Sequence, residues 1–215
     1  MKTLFQTYLA FCTRHHRRLM RIGFAFTLLA ACLALSGCAV PVWLSDAESL
    51  VPLLAASATA ALAFLGGLSP ATAALVQKVI TIIQDVSAGL TDIATMIAEY
   101  KSNPNDTLLQ KIEGVANLVV SNLQQVMADT GIPAAVAMVI QKWAQLVLSQ
   151  LEAWLAVLPN LKLAVAEGRV ESMERPADDR LLAHDQLRTE LNEIFTPATG
   201  DAEVDEALGK VPAIG

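Results

Sequence analysis

The stretch SPATAALVQKVITIIQDVSAGLTDIATMIAEYKSNPN, residues 69–105, decides the fold class. It opens on Ser69, whose hydroxyl can accept from an orphan backbone N–H, and on Pro70, whose fixed φ suits the first helical position. From there Val76, Val79, Ile83, Val86, Leu90, Ile93 and Ile97 recur in steps of three and four, with Leu75, Ile82 and Met96 widening one flank. Lys78, Gln84, Asp85, Thr91, Asp92 and Glu99 fall on the opposite side. A stripe of this period is the seam of a bundle or coiled-coil helix. The stretch closes on Asn103, Pro104 and Asn105, because proline disfavours helix at the residue before it and asparagine side chains bond their own backbone.

On the far side of that turn a second stripe begins. Leu109, Ile112, Ala116, Val119, Leu123 and Val126 again alternate steps of three and four, predicting a helix from about Asp106 to Asp129. Two long striped helices joined by a short turn must pack as an antiparallel hairpin. Thr130, Gly131, Ile132 and Pro133 break the chain, and a further helix is expected over Pro133–Leu158 with Val136, Ile140, Trp143, Val147, Trp154 and Leu158 on one stripe. Trp143 and Trp154 read either as core or as an aromatic interaction face, since tryptophan favours interfaces.

Upstream, Ser45, Asp46, Ala47 and Glu48 have the pattern of a capping box, so the first helix of the bundle is expected to start at Ser45 and to stop at Gly66 and Gly67. Between them Leu50–Leu68 carries no charge. Its length suits a membrane span, whereas its alanine content suits close packing in a bundle. Downstream, residues 167–215 hold twelve acids against five bases. Asp178–Phe195 can form one amphipathic helix with Leu181, Leu187, Leu191 and Ile194 on a face, and the last twenty residues read as a solvated tail. The expected architecture is all-α: a long antiparallel hairpin or bundle of about four helices over residues 45–166, then an acidic segment, 167–215, with one short amphipathic helix.

The amino-terminal segment explains the remaining composition. Lys2, Arg14, Arg17, Arg18 and Arg21 precede an apolar run that ends in Leu35, Ser36, Gly37 and Cys38. This resembles the signal peptide and lipobox of bacterial lipoproteins. The resemblance covers only this segment, with 1–37 as the signal, Met20 as an alternative start, and 38–44 as a lipidated cysteine and tether. It implies cleavage before Cys38, a covalent diacylglycerol or acyl group on its sulfur, and, through Ala39, the periplasmic face of the outer membrane. A second run of the same kind ends at Cys32. The rival reading is an uncleaved anchor over Ile22–Leu44 in an inner membrane, its N-terminus held inside by Arg17, Arg18 and Arg21.

Cleavage before Cys38 would remove five positive charges and take the formal net charge from −6 to −11. An acidic domain argues against nucleic acid, whose phosphates need clustered Lys and Arg. Cys12, Cys32 and Cys38 are the only cysteines, so a domain beginning at Cys38 would have no disulfide, thiolate zinc site or thiol nucleophile. A composition 54% apolar but only 5% aromatic favours helices over a β-sandwich, and a mean hydropathy of +0.47 suggests a membrane or an oligomer.

Little in the chain suggests chemistry. His184 is the only histidine after Cys38 and lies in line with Leu187, Leu191 and Ile194. The pairs Asp178–Asp179 and Asp205–Glu206 are neighbours that point apart on a helix and read as solubilising charge. Asp85, Asp92, Glu99, Glu113 and Glu152 sit on polar faces. No metal site, cofactor site or catalytic group is expected. The resulting expectation is a lipid-anchored, non-enzymatic envelope scaffold that binds a protein partner or copies of itself. The alternatives are a membrane-inserting, oligomeric or pore-like protein of phage-related type, acting through Leu50–Leu68, and a carrier of an apolar ligand.

Overall fold

The computed structural model describes residues 42–156 and 181–215. Every described residue belongs to one compact unit within Val40–Gly215. Among the described residues there are six helices and no strand: α1 (Val42–Gly66), α2 (Pro70–Ser102), α3 (Asp106–Ala128), α4 (Ala134–Leu155), α5 (His184–Ile194) and α6 (Ala202–Leu208). The all-α reading is correct. Successive long helices pack on one another, α1 on α2, α2 on α3 and α3 on α4, and α4 returns to α1.

Helix α2 forms as its ends dictate. Ser69 adopts an extended backbone and its side chain accepts from the Thr72 N–H at 3.4 Å, with Pro70 at the first position. Every seam position from Val76 to Ile97 is buried. Helix α3 starts at the Asn105 cap, whose Oδ1 accepts from the Leu108 N–H at 2.9 Å, and all six of its stripe residues are buried. Leu75 departs from expectation: it is 64% exposed. Lys78, one turn further along α2, pairs with Asp129 at 3.2 Å, already past the last residue of α3, so Leu75 has no α3 turn beside it.

Gly89 marks the closest approach within the hairpin. A methyl group placed on it would come within 2.5 Å of Val119 Cγ2. The absence of a side chain on α2 there lets the two helices draw together over Val115 and Val119.

Three boundaries differ from the sequence reading. Helix α1 begins at Val42 rather than Ser45, which places Ser45 inside the first turn and dissolves the capping box. The three added residues carry Leu44 into the core at 2% exposure, and Glu48 turns to Lys101 of α2, 2.9 Å from the ammonium through both carboxylate oxygens. Helix α4 begins at Ala134 and its described part ends at Leu155; Leu158 lies outside the described residues.

Helix α5 is shorter than expected, since the chain before it is not helical at Leu181 and Leu182. There the Leu182 N–H donates to Oε1 of the buried Gln150 at 3.0 Å, a bond to α4 that replaces a helical one.

The largest correction concerns the last twenty residues, which are not a solvated tail. Asp201 caps α6 by accepting from the N–H groups of Glu203 and Val204, and Val204, Ala207, Leu208 and Ile214 are buried. The acidic carboxy-terminal part therefore packs on the bundle, α5 against α4 and α1 and α6 against α1, instead of forming a segment apart.

Candidate functional site

Two features of the surface deserve a functional reading: a cleft beside α4 and the turn between α1 and α2. The cleft has a volume of about 740 Å³ and runs between one flank of α4 and the end of α5 with the loop after it. Met138, Lys142, Gln145 and Ser149 of α4 line one wall, at spacings that put them on one side of the helix. Glu190, Glu193 and Ile194 of α5, with Thr196 and Thr199, line the other. Met138 is 45% exposed, a large apolar side chain that the bundle does not use. One ammonium and two carboxylates line the cleft together with apolar side chains, a surface suited to binding.

The turn at Gly66 and Gly67 is where the carboxy-terminal segment closes. Glu203 Oε1 accepts the Ser69 N–H at 2.9 Å across 134 residues of sequence. Gly67 lies so near α6 that an added methyl would stand 3.3 Å from the Cα and Cβ of Ala207. The loop before α6 is built around Asp205. Its carboxylate accepts from the N–H and hydroxyl of Thr199, both at 2.8 Å, and from the N–H of Gly200, whose φ of +78° favours glycine. The Thr199 N–H is the main cause of a lowered Asp205 pKa, and the Ser69 N–H plays that part for Glu203. Further along, Asn192 holds the chain end. Its amide donates to the Ile214 carbonyl at 3.2 Å and accepts from the Ile214 N–H at 2.8 Å.

The residues singled out from sequence fall as follows. Trp143 is fully buried, and its indole N–H donates to Ser57 Oγ of α1 at 3.0 Å; Ser57 in turn donates to the Leu54 carbonyl at 2.7 Å. Trp154 is 2% exposed, and its N–H has no partner among the described residues. The proposed aromatic face is therefore corrected: both indoles are buried in the core, Trp143 against Ser57 of α1.

His184 is exposed at the start of α5, its Nδ1 3.5 Å from Asp185. Asp85, Asp92, Glu99 and Glu152 are exposed on their helices. Asp205 is not merely solubilising, as its loop shows, whereas Glu206 makes a surface pair with Lys210 at 2.8 Å. Cys38 and the Asp178–Asp179 pair lie outside the described residues. Among the described residues no group of three or more His, Cys, Asp or Glu is placed to hold a metal ion.

Sequence reasoning missed the cleft, although the spacing of Met138, Lys142, Gln145 and Ser149 at i, i+4, i+7 and i+11 was there to be read. Two helical segments, Asp46–Gly66 and Pro70–Ser102, are long and apolar enough to cross a membrane. More than half of the first window is buried inside the bundle, as the core helix of a water-soluble protein would be. No protein family, curated protein or solved structure matches the chain.

Proposed function

We propose that this protein is a lipid-tethered, non-enzymatic scaffold of a bacterial envelope, held to the periplasmic face of the outer membrane through Cys38 and binding a protein partner or further copies of itself. The observation that carries the reading is how little chain separates the lipobox cysteine from the bundle. Helix α1 already begins at Val42, so only residues 39–41 intervene. At roughly 3.5 Å per extended residue such a tether reaches no more than about 14 Å. An acyl chain on Cys38 would hold the helices against the bilayer surface instead of letting them roam. The exposed Met138 and the cleft around it supply a surface for a partner. Acyl mass on Cys38, with globomycin-sensitive processing, is the expected result; an unacylated Cys38 whose replacement by Ser leaves membrane attachment unchanged would end this reading.

A second reading is favoured by a separate observation, the membrane-length apolar segments of α1 and α2. In it the tethered α1 leaves the bundle and enters lipid. Protease protection of Leu50–Leu68 in vesicles is its signature, and ready cleavage of that segment from the aqueous side rules it out.

A further inference from the structure

No Asp, Glu, Lys, Arg or His occurs between Glu48 and Lys78, a run that covers α1 from Ser49, the turn, and the first two turns of α2. The leading tip of this run is Gly66, Gly67, Leu68 and Ser69. In the folded chain Gly66 is exposed, but Gly67 and Ser69 are half-buried and Leu68 is buried. Helix α6 packs beside the tip: Glu203 takes the Ser69 N–H, Ala207 sits against Gly67, and Val204, Leu208 and Leu68 are each buried. The covering segment is rich in carboxylates, with Asp201, Glu203, Asp205 and Glu206 against Lys210. It is also separately built, through the Asp201 cap, the Asp205 loop and the Asn192 grip on Ile214, so it can keep a shape when it parts from the tip.

We propose that the carboxy-terminal segment, residues 196–215, is a latch that covers the uncharged α1–α2 tip and keeps it out of lipid, and that its release lets the tip enter a bilayer. The inference rests on the second reading above, that α1 can leave the bundle. With the latch closed, insertion of the tip would carry four carboxylates toward hydrocarbon, where charge is costly and unsatisfied polar groups find no water. With the latch open, the first charge behind the tip on either side is Glu48 or Lys78, each more than two helical turns back. The contact that holds the latch is small: hydrogen bonds to one carboxylate, Glu203, from the Ser69 N–H and the Ser69 and Thr72 hydroxyls, and a patch of three apolar residues. It can open without unpicking the seams of α2 and α3.

The geometry supplies its own lock. A Cβ added at Gly67 would stand 3.3 Å from the Ala207 Cβ, so the two positions reach the spacing of about 3.8 Å in a disulfide with a shift of about 0.5 Å. The test uses the full chain with Cys12, Cys32 and Cys38 changed to Ser and Gly67→Cys with Ala207→Cys added, mixed with dye-loaded phosphatidylcholine vesicles. The oxidised protein is expected to bind vesicles and release dye at least tenfold more slowly than the same protein after reduction. Glu203→Ala, made without the cysteine pair, keeps the test open should the double variant fail to fold; it is expected to act several-fold faster than the parent. Equal, substantial rates from oxidised and reduced protein, or from Glu203→Ala and its parent, overturn the latch while leaving insertion standing. Absence of binding and release from every form overturns the latch together with the insertion reading on which it rests.

Discussion

Replacing Gly89 by alanine tests the central hairpin most directly, because a second glycine provides the control. Gly89 and Gly114 both sit inside long helices, where glycine costs about 0.8–1 kcal/mol relative to alanine. Nothing lies within 4 Å of a methyl group added at Gly114, so Gly114→Ala should recover that amount in full, a gain of about 0.8–1 kcal/mol. At Gly89 the same methyl meets Val119 Cγ2 at 2.5 Å, where carbon atoms prefer roughly 3.5–4.0 Å. Valine in a helix has one strongly preferred χ1 rotamer, so Val119 cannot swing clear and the helices must part by about 1 Å. Overpacking of this kind costs about 1–3 kcal/mol, which outweighs the propensity gain and leaves Gly89→Ala neutral to about 2 kcal/mol destabilised. The two variants should thus differ by about 1–3 kcal/mol, or on the order of 2–12 °C in melting temperature for a chain of this size. Denaturant unfolding followed by helical circular dichroism gives both values. In a Val119→Ala background, where the clash is gone, Gly89→Ala should become stabilising, as at Gly114. A Gly89→Ala protein as stable as Gly114→Ala in the native background would refute the close approach.

Other consequences can be checked in the same material. Ser57→Ala strands the buried Trp143 N–H and should cost about 1–3 kcal/mol in denaturant unfolding. Trp143→Phe should cost about 1 kcal/mol more than Trp154→Phe, since the two lose similar volume but only the first loses a described hydrogen bond. Asp129, Asp205 and Glu203 have pKa values lowered mainly by the backbone N–H groups of Gly131, Thr199 and Ser69 respectively. Folded values below unfolded ones give stability that is present above the unfolded carboxylate range of about 3.9–4.3 and is lost as pH falls through the folded values. Melting temperature should therefore decline below about pH 5, and Asp205→Ala should flatten that decline; a slope unchanged by the substitution would count against the loop. Asn192→Ala should speed hydrogen exchange at Ile214 while leaving the α2 amides protected, and equal protection at Ile214 would show that Asn192 does not hold the chain end.

The long helices were legible because each depends on local signals that packing then used. The seam of α2 and the six-residue stripe of α3 repeat at the helical period, and their ends carry Ser69, Pro70, Asn103 and Asn105, so period and punctuation agree. The start of α1 was misplaced because two signals competed. Ser45 and Glu48 have the spacing of a capping box, yet Leu44 gains more by entering the core and Glu48 by reaching Lys101. The tail failed for the opposite reason. Its composition is small, acidic and broken by glycine and proline, so no window of it shows a periodic stripe. Val204, Leu208 and Ile214 are too few to make one, and their burial depends on surfaces from α1 and α5 that are remote in sequence. The two tryptophans show the same limit: periodicity put them on one stripe without saying whether that stripe faced a neighbour in the chain or another molecule. The cleft lay on the flank of α4, and the residues of its second wall, from Glu190 on, are about forty residues beyond Ser149.

The bond between Ser69 and Glu203 also imposes an order on the making of the protein. At a synthesis rate of about 5–20 residues per second, the 134 residues between them take roughly 7–27 s to appear. Over that interval α2, α3 and α4 appear in turn and can pack on what precedes them, while the turn at Gly67 still lacks its cover. A chain interrupted after α4 would carry the whole bundle and none of its cover. The growing polypeptide thus passes through a period in which it depends on other factors, or on speed, to keep that turn from finding the wrong surface.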